Sequence, residues 1–349
     1  MAVPQMIAVS LPGSGTSLLA DVTTALGYTS YGTMSGDPAA GPGQPGPGEV
    51  YSLLTAAYGP DRTALLLNPP HHRGSLEDAF QQAVSALWRV WWTRLGQPTT
   101  HASPVDPDVE SRLARLPDTT LLKLLPGHGC WYVTGLDLQR ADADFLRTWH
   151  TRSQPPIVHH HRDIRDRIIS QIRALSQPVD RVGSLPEHLI YRDILATRPT
   201  LDDKITLALT DPGFPGMREA HRSQWLLHHP AICVITHEEL AGPLLGGTTR
   251  ARERALTRLL HTTGHPSPPA SAGTPPPADG AGDDLAVGIG RRLFTAAHER
   301  LLRHHHSALL REPADPSHPP ADDLPDDLPD DLPDDLPAGL RQPEASWRG

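Results

Sequence analysis

The stretch Met6-Ile7-Ala8-Val9-Ser10-Leu11-Pro12-Gly13-Ser14-Gly15-Thr16-Ser17-Leu18-Leu19-Ala20 passes through three patterns in succession. Met6 to Leu11 is a short apolar run of the kind that forms a buried strand. Pro12 to Ser17 is a glycine-containing turn. Leu18, Leu19, Val22 and Leu26 then recur at helical spacing and stop at Gly27. A strand that turns through glycine into a helix leaves backbone N–H groups pointing outward at the helix start, where the dipole adds partial positive charge. Such a turn suits a phosphate. Gly13, Ser14, Gly15, Thr16 and Ser17 are therefore the candidate anion-binding residues, the glycines for close approach and the hydroxyls as extra donors. The loop is not G-x-x-x-x-G-K-[ST], so it is no Walker A loop.

Working outward, apolar runs bounded by proline, glycine or charge predict further strands at Thr120 to Leu125, Pro156 to His160 and Ala231 to Thr236. Helical periodicity lies at Leu76 to Leu95, Asp142 to Thr151, Ile164 to Leu175, Leu201 to Leu209, Met217 to His228 and Arg250 to Thr262. Arg291 to Leu310 reads as a closing helix. Strands alternating with helices predict an α/β domain built on a mainly parallel sheet covered by helices on both faces.

Composition sets the limits of that domain. The 38 prolines, against a usual share of about 5%, gather at Pro38 to Pro47, at Pro266 to Pro277 and after Pro313. One α/β domain is expected over 1–312, with a flexible insertion at 265–285 and a disordered tail at 313–349. That tail holds nine Asp and one Glu against two Arg, which is −8 of the chain's net −9, and repeats Asp-Asp-Leu-Pro four times from Asp322 to Pro337. The body is thus nearly neutral, which argues against a general nucleic-acid binder. No run reaches the ~18 apolar residues a membrane helix needs. Cys130 and Cys233 stand alone, outside any metal or redox spacing, and a cytoplasmic location is expected. His159 to His161 alternate faces of a strand and cannot share one ion, so no metal is expected.

A second motif joins the first. Ile157-Val158-His159-His160-His161-Arg162-Asp163-Ile164-Arg165-Asp166-Arg167-Ile168-Ile169-Ser170 runs from a strand into a helix, with Arg162 at the strand's carboxyl end and Ser170 eight residues on. Strand carboxyl ends line the ligand crevice of an open α/β sheet, so Arg162 and the first loop are expected to face one ligand. The pairing resembles the sulfotransferases that use 3'-phosphoadenosine 5'-phosphosulfate (PAPS). Pro12, Ser14, Gly15 and Thr16 stand where that family has its 5'-phosphosulfate loop, and Arg162, Asp166 and Ser170 where it has its 3'-phosphate motif. His237-Glu238-Glu239-Leu240 is similar to the family's Tyr-Glu-Asp-Leu. The resemblance implies a P-loop nucleotide-hydrolase-like fold, PAPS as sulfuryl donor and a small-molecule acceptor. Gly13 departs from it, since the family usually carries Lys or Arg there.

Sulfuryl transfer needs a base for the acceptor's proton and positive charge near the leaving phosphate. The resemblance suggests Glu49 as the carboxylate of a Gly-x-x-Glu-like element and Lys123, one of only two lysines, as a strand lysine facing the sulfuryl group. Leu125 stands where animal members have a histidine, and His128 in Gly127-His128-Gly129 is the substitute base. Trp88, Trp91, Trp92, Tyr191 and Trp225 are candidate walls for the acceptor, or core. Two alternatives stand beside sulfuryl transfer: a catalytically silent nucleotide- or partner-binding protein on this fold, and a small-molecule kinase.

Overall fold

The structure, a computed structural model, describes residues 5–31, 47–68, 73–96, 105–124, 129–152, 155–182, 185–265 and 286–310. Five strands, β1 Met6–Ser10, β2 Thr29–Tyr31, β3 Gly129–Val133, β4 Ile157–His161 and β5 Ile232–Thr236, form one sheet in the order β2-β3-β1-β4-β5. Every neighbouring pair is parallel, with Ile7 opposite Trp131 on one side and Ile157 on the other. Around them run α1 Thr16–Ala25, α2 Pro47–Tyr58, α3 Pro60–Leu67, α4 Arg73–Arg94, α5 Pro107–Ala114, α6 Asp118–Leu124, α7 Ala143–Arg152, α8 Ile164–Leu175, α9 Val179–Val182, α10 Pro186–Ala196, α11 Leu201–Thr210, α12 Met217–Ser223, α13 His237–Ala241, α14 Thr249–Thr263, α15 Ile289–Leu293 and α16 Ala296–His306.

The period of two along each strand divides the core. Ile7, Val9, Trp131, Val133, Ile157 and Ile232 face α2, α4, α5 and α7. Met6, Ala8, Cys130, Tyr132, Val158, Cys233 and Ile235 face α1, α13 and α14. Both faces being covered, β1 and β3 are mostly apolar, as a parallel sheet requires, whereas β4 ends in His159, His160 and His161. A third cluster joins Leu11 to α8, α10, α11, α12 and α16. Trp88, Trp91 and Trp92 are core, not pocket: Trp88 stacks on Trp131 at 5.1 Å and Trp91 meets Phe145 edge-on.

Two expectations are corrected. Thr120 to Leu125 is not a strand but the body of α6, with Asp118 in the favourable first turn and leucines that suit a helix as well as a strand. The strand beside β1 is Gly129–Val133 instead. The closing helix is two helices, because Thr295 and His298 form a capping box that restarts the chain at α16. The segments 266–285 and 311–349, where the insertion and acidic tail were expected, lie outside the described residues.

Candidate functional site

β1 leads through α1 to β2 on one side of it, and β4 leads to β5 on the other. The point where the connections part, between the carboxyl ends of β1 and β4, is where open parallel sheets bind ligands. The loop after β1 sits there. Gly13 has φ 79° and Gly15 φ 84°, and Gly15 is the left-handed N-cap of α1. A side chain at 13 would meet the Arg167 carbonyl at 2.6 Å, and one at 15 would run into the imidazole of His237. Only glycine fits either place. Ser14 N–H closes the turn onto the Leu11 carbonyl at 3.0 Å. Its hydroxyl is buried with no hydrogen-bond partner, an uncommon state that an incoming acceptor oxygen would relieve. Together with the first N–H groups of the ten-residue α1, this fits an anionic phosphate or sulfate oxygen.

Beneath the loop lies a polar chain absent from the expectations. Thr16 Oγ1 and Ser10 Oγ are 2.6 Å apart, and Ser10 Oγ is 3.1 Å from His160 Nδ1. His160 is fully buried, and its ring centroid is 5.9 Å from that of His237. Burial and the neighbouring His237 hold His160 far below the usual histidine pKa. A neutral imidazole thus supports the hydroxyl of Thr16 from below. His237 heads the His-Glu-Glu-Leu stretch and α13, but its contact with Gly15 joins residues distant in sequence, so its place against the loop has no local signal.

Arg162 follows β4 and is fully buried. Its Nη1 donates to the Gly13 carbonyl at 3.1 Å and its Nη2 to the Ala286 carbonyl at 3.2 Å. The two motifs read from sequence therefore do meet. Asp166, four residues on, accepts the N–H groups of Gly288 at 2.7 Å and Gly290 at 2.6 Å. Residues 286–290 are thereby strapped onto the start of α8. Ser170 lies further along α8, half-buried. The Glu238 carboxylate accepts Asp163 N–H at 2.9 Å, while burial raises its pKa.

No protein-family model and no curated protein matches this chain.

Of the expected catalytic residues Glu49, Lys123 and His128, only the side chain of Lys123 is among those described. Lys123 is in the last turn of α6 with its side chain exposed, where a cation suits the helix end, and not inside a strand. Glu49 is on α2, its side chain outside the described residues, and His128 lies outside them altogether. Beside the loop lies a cleft of about 120 Å³ that starts at Pro12 and runs along Thr134 to Asp137, past Glu187 and His188 of α10, to Glu219, Arg222 and Ser223 of α12. Trp225 Nε1 and Ser223 Oγ both bond the backbone of Leu136, at 3.0 and 2.8 Å, and fix this wall.

Among the described residues no helix is long and apolar enough to cross a membrane.

Proposed function

We propose that the chain binds PAPS at the β1 loop and transfers its sulfuryl group to a hydroxyl or amine of a small metabolite. The observation that carries this reading is the bond from Arg162 to the Gly13 carbonyl, which unites the two resembling motifs at the crevice of a parallel sheet. The strand order β2-β3-β1-β4-β5 supports the P-loop-like fold that the resemblance implies. Gly13 to Ser17 would hold the 5' phosphosulfate through backbone N–H groups and hydroxyls, with Ser14 Oγ as the ready donor. Arg162 and Ser170 would serve the 3'-phosphate, at the end of the loop that Asp166 holds in place.

One observation favours the catalytically silent alternative. Both outer nitrogens of Arg162 are bonded to carbonyls, and the backbone at Gly13 admits no basic side chain. Transfer of labelled sulfate from PAPS across a panel of phenols, alcohols and amines separates the two. Turnover supports transfer. Nucleotide binding without turnover supports the silent binder, and preference for ATP as donor supports a kinase.

A further inference from the structure

Pro12 is shared between the phosphate loop and the cleft beside it, and the cleft opens at the carboxyl ends of β1 and β3. Whatever the loop holds therefore has this cleft as its neighbour. Its polar groups differ in how far they are already engaged. Asp137 is paired with Arg222 at 2.9 Å, and Ser223 Oγ accepts Leu136 N–H. Glu187 and Glu219 form no ion pair within 4.0 Å among the described residues. His188, half-buried, lines the cleft wall together with them.

We infer that this cleft takes the sulfuryl acceptor, a small neutral or cationic alcohol, phenol or amine, and that His188 removes its proton. The inference rests on the sulfuryl-transfer reading above. A neutral imidazole keeps a lone pair on one of its two ring nitrogens. Burial lowers the pKa of His188, against which the Val182 carbonyl and the Glu219 carboxylate act. The net direction is downward, so the ring is neutral and basic at pH 7. Arg218 and Glu219 of α12, Glu187 of α10, and Asp137, Arg140 and Arg222 are the charges around it. Burial, and after it the Glu219 carboxylate, raises the pKa of Glu187, against which Arg218 acts. A carboxylated acceptor would add a third like charge, and an ammonium would relieve the pair. In the step itself, the acceptor oxygen or nitrogen forms a bond to sulfur and its proton passes to His188. The bond from sulfur to the bridging oxygen breaks, and its electron pair stays with the departing 5'-phosphate.

The test compares wild type, His188→Gln and Glu219→Gln in three readouts: calorimetric binding of 3'-phosphoadenosine 5'-phosphate, the NMR titration of the His188 ring without ligand, and sulfate transfer to acceptors in matched ammonium and carboxylate forms. We expect nucleotide affinity within about twofold in all three proteins. In His188→Gln, kcat should fall at least ~100-fold, the usual scale for a general base, with acceptor KM little changed and the acidic limb of the pH profile gone. In Glu219→Gln, the His188 titration and that limb should both move to lower pH, and the preference for ammonium forms should shrink. A His188→Gln protein that binds nucleotide and keeps kcat within about threefold of wild type overturns the base assignment and leaves the nucleotide site standing. A wild type that binds nucleotide but transfers to no acceptor overturns it too. Failure of wild type to bind the nucleotide overturns the sulfuryl-transfer reading itself.

Discussion

At Gly13 the sequence and the structure give opposite advice to an engineer. A basic residue there would match the resembling family, yet φ is 79° and the Arg167 carbonyl stands 2.6 Å from where a Cβ would lie. Gly13→Lys is therefore expected to lower stability by about 1–3 kcal/mol, the cost of a strained backbone position, and to add no transfer activity. Urea denaturation and the labelled-sulfate assay check the two parts. Gly15→Ala meets His237 in the same way and should abolish anion binding at the loop while leaving the melting transition cooperative. Calorimetric titration with inorganic pyrophosphate reads that loss. His160 and His237 carry the same lesson from the other direction. The run His159 to His161 is conspicuous in the sequence, and its alternation of faces is legible there, but only packing reveals that the middle ring supports Ser10 and, through it, Thr16.

The strap formed by residues 286–290 is held to α8 by the two N–H bonds to Asp166 and one from Arg162. Hydrogen bonds to a charged group contribute about 1.5–3 kcal/mol each. Asp166→Ala should thus release the strap, and faster amide hydrogen exchange confined to 286–293 would report it. Unchanged exchange would mean that other contacts hold the segment. Elements differed in how plainly they could be read. β1 and β5 are apolar runs ended by Pro or His, β4 passes from Ile157 and Val158 through three histidines to Arg162, and α8 follows it with an unbroken amphipathic spacing, so the phosphate loop and Arg162 were legible together. β2 has three residues, too few for a pattern to rise above chance. β3 was hidden behind the leucines of α6, since a short apolar run has no period that tells strand from helix. α10, which supplies His188, begins at Pro186 and buries only Leu195, so its apolar stripe is weak.

Across the whole molecule the sheet divides two cores, and several histidines are locked into the packing around it. Burial pushes His159 down to about 3, His161 to about 4 and His306 to about 4, against an ordinary value of 6.5. Their folded pKa values lie below the unfolded ones, so the native state binds fewer protons between pH 6.5 and pH 3. The stability they contribute is fully present above pH 6.5 and is lost as pH falls through that window. Native stability should drop by about 3 kcal/mol or more between pH 7 and pH 4. Denaturant melts at stepped pH check this, and a flat profile across the window would show that these rings reach solvent.

Calorimetric titration of 3'-phosphoadenosine 5'-phosphate, with ATP and AMP as competitors and Arg162→Ala and Ser14→Ala as controls, tests the shared nucleotide site most directly. The account predicts one site that prefers the 3'-phosphorylated nucleotide, is weakened in Ser14→Ala and is lost in Arg162→Ala while that variant still melts cooperatively. No binding by wild type, or tighter binding of ATP, would contradict it.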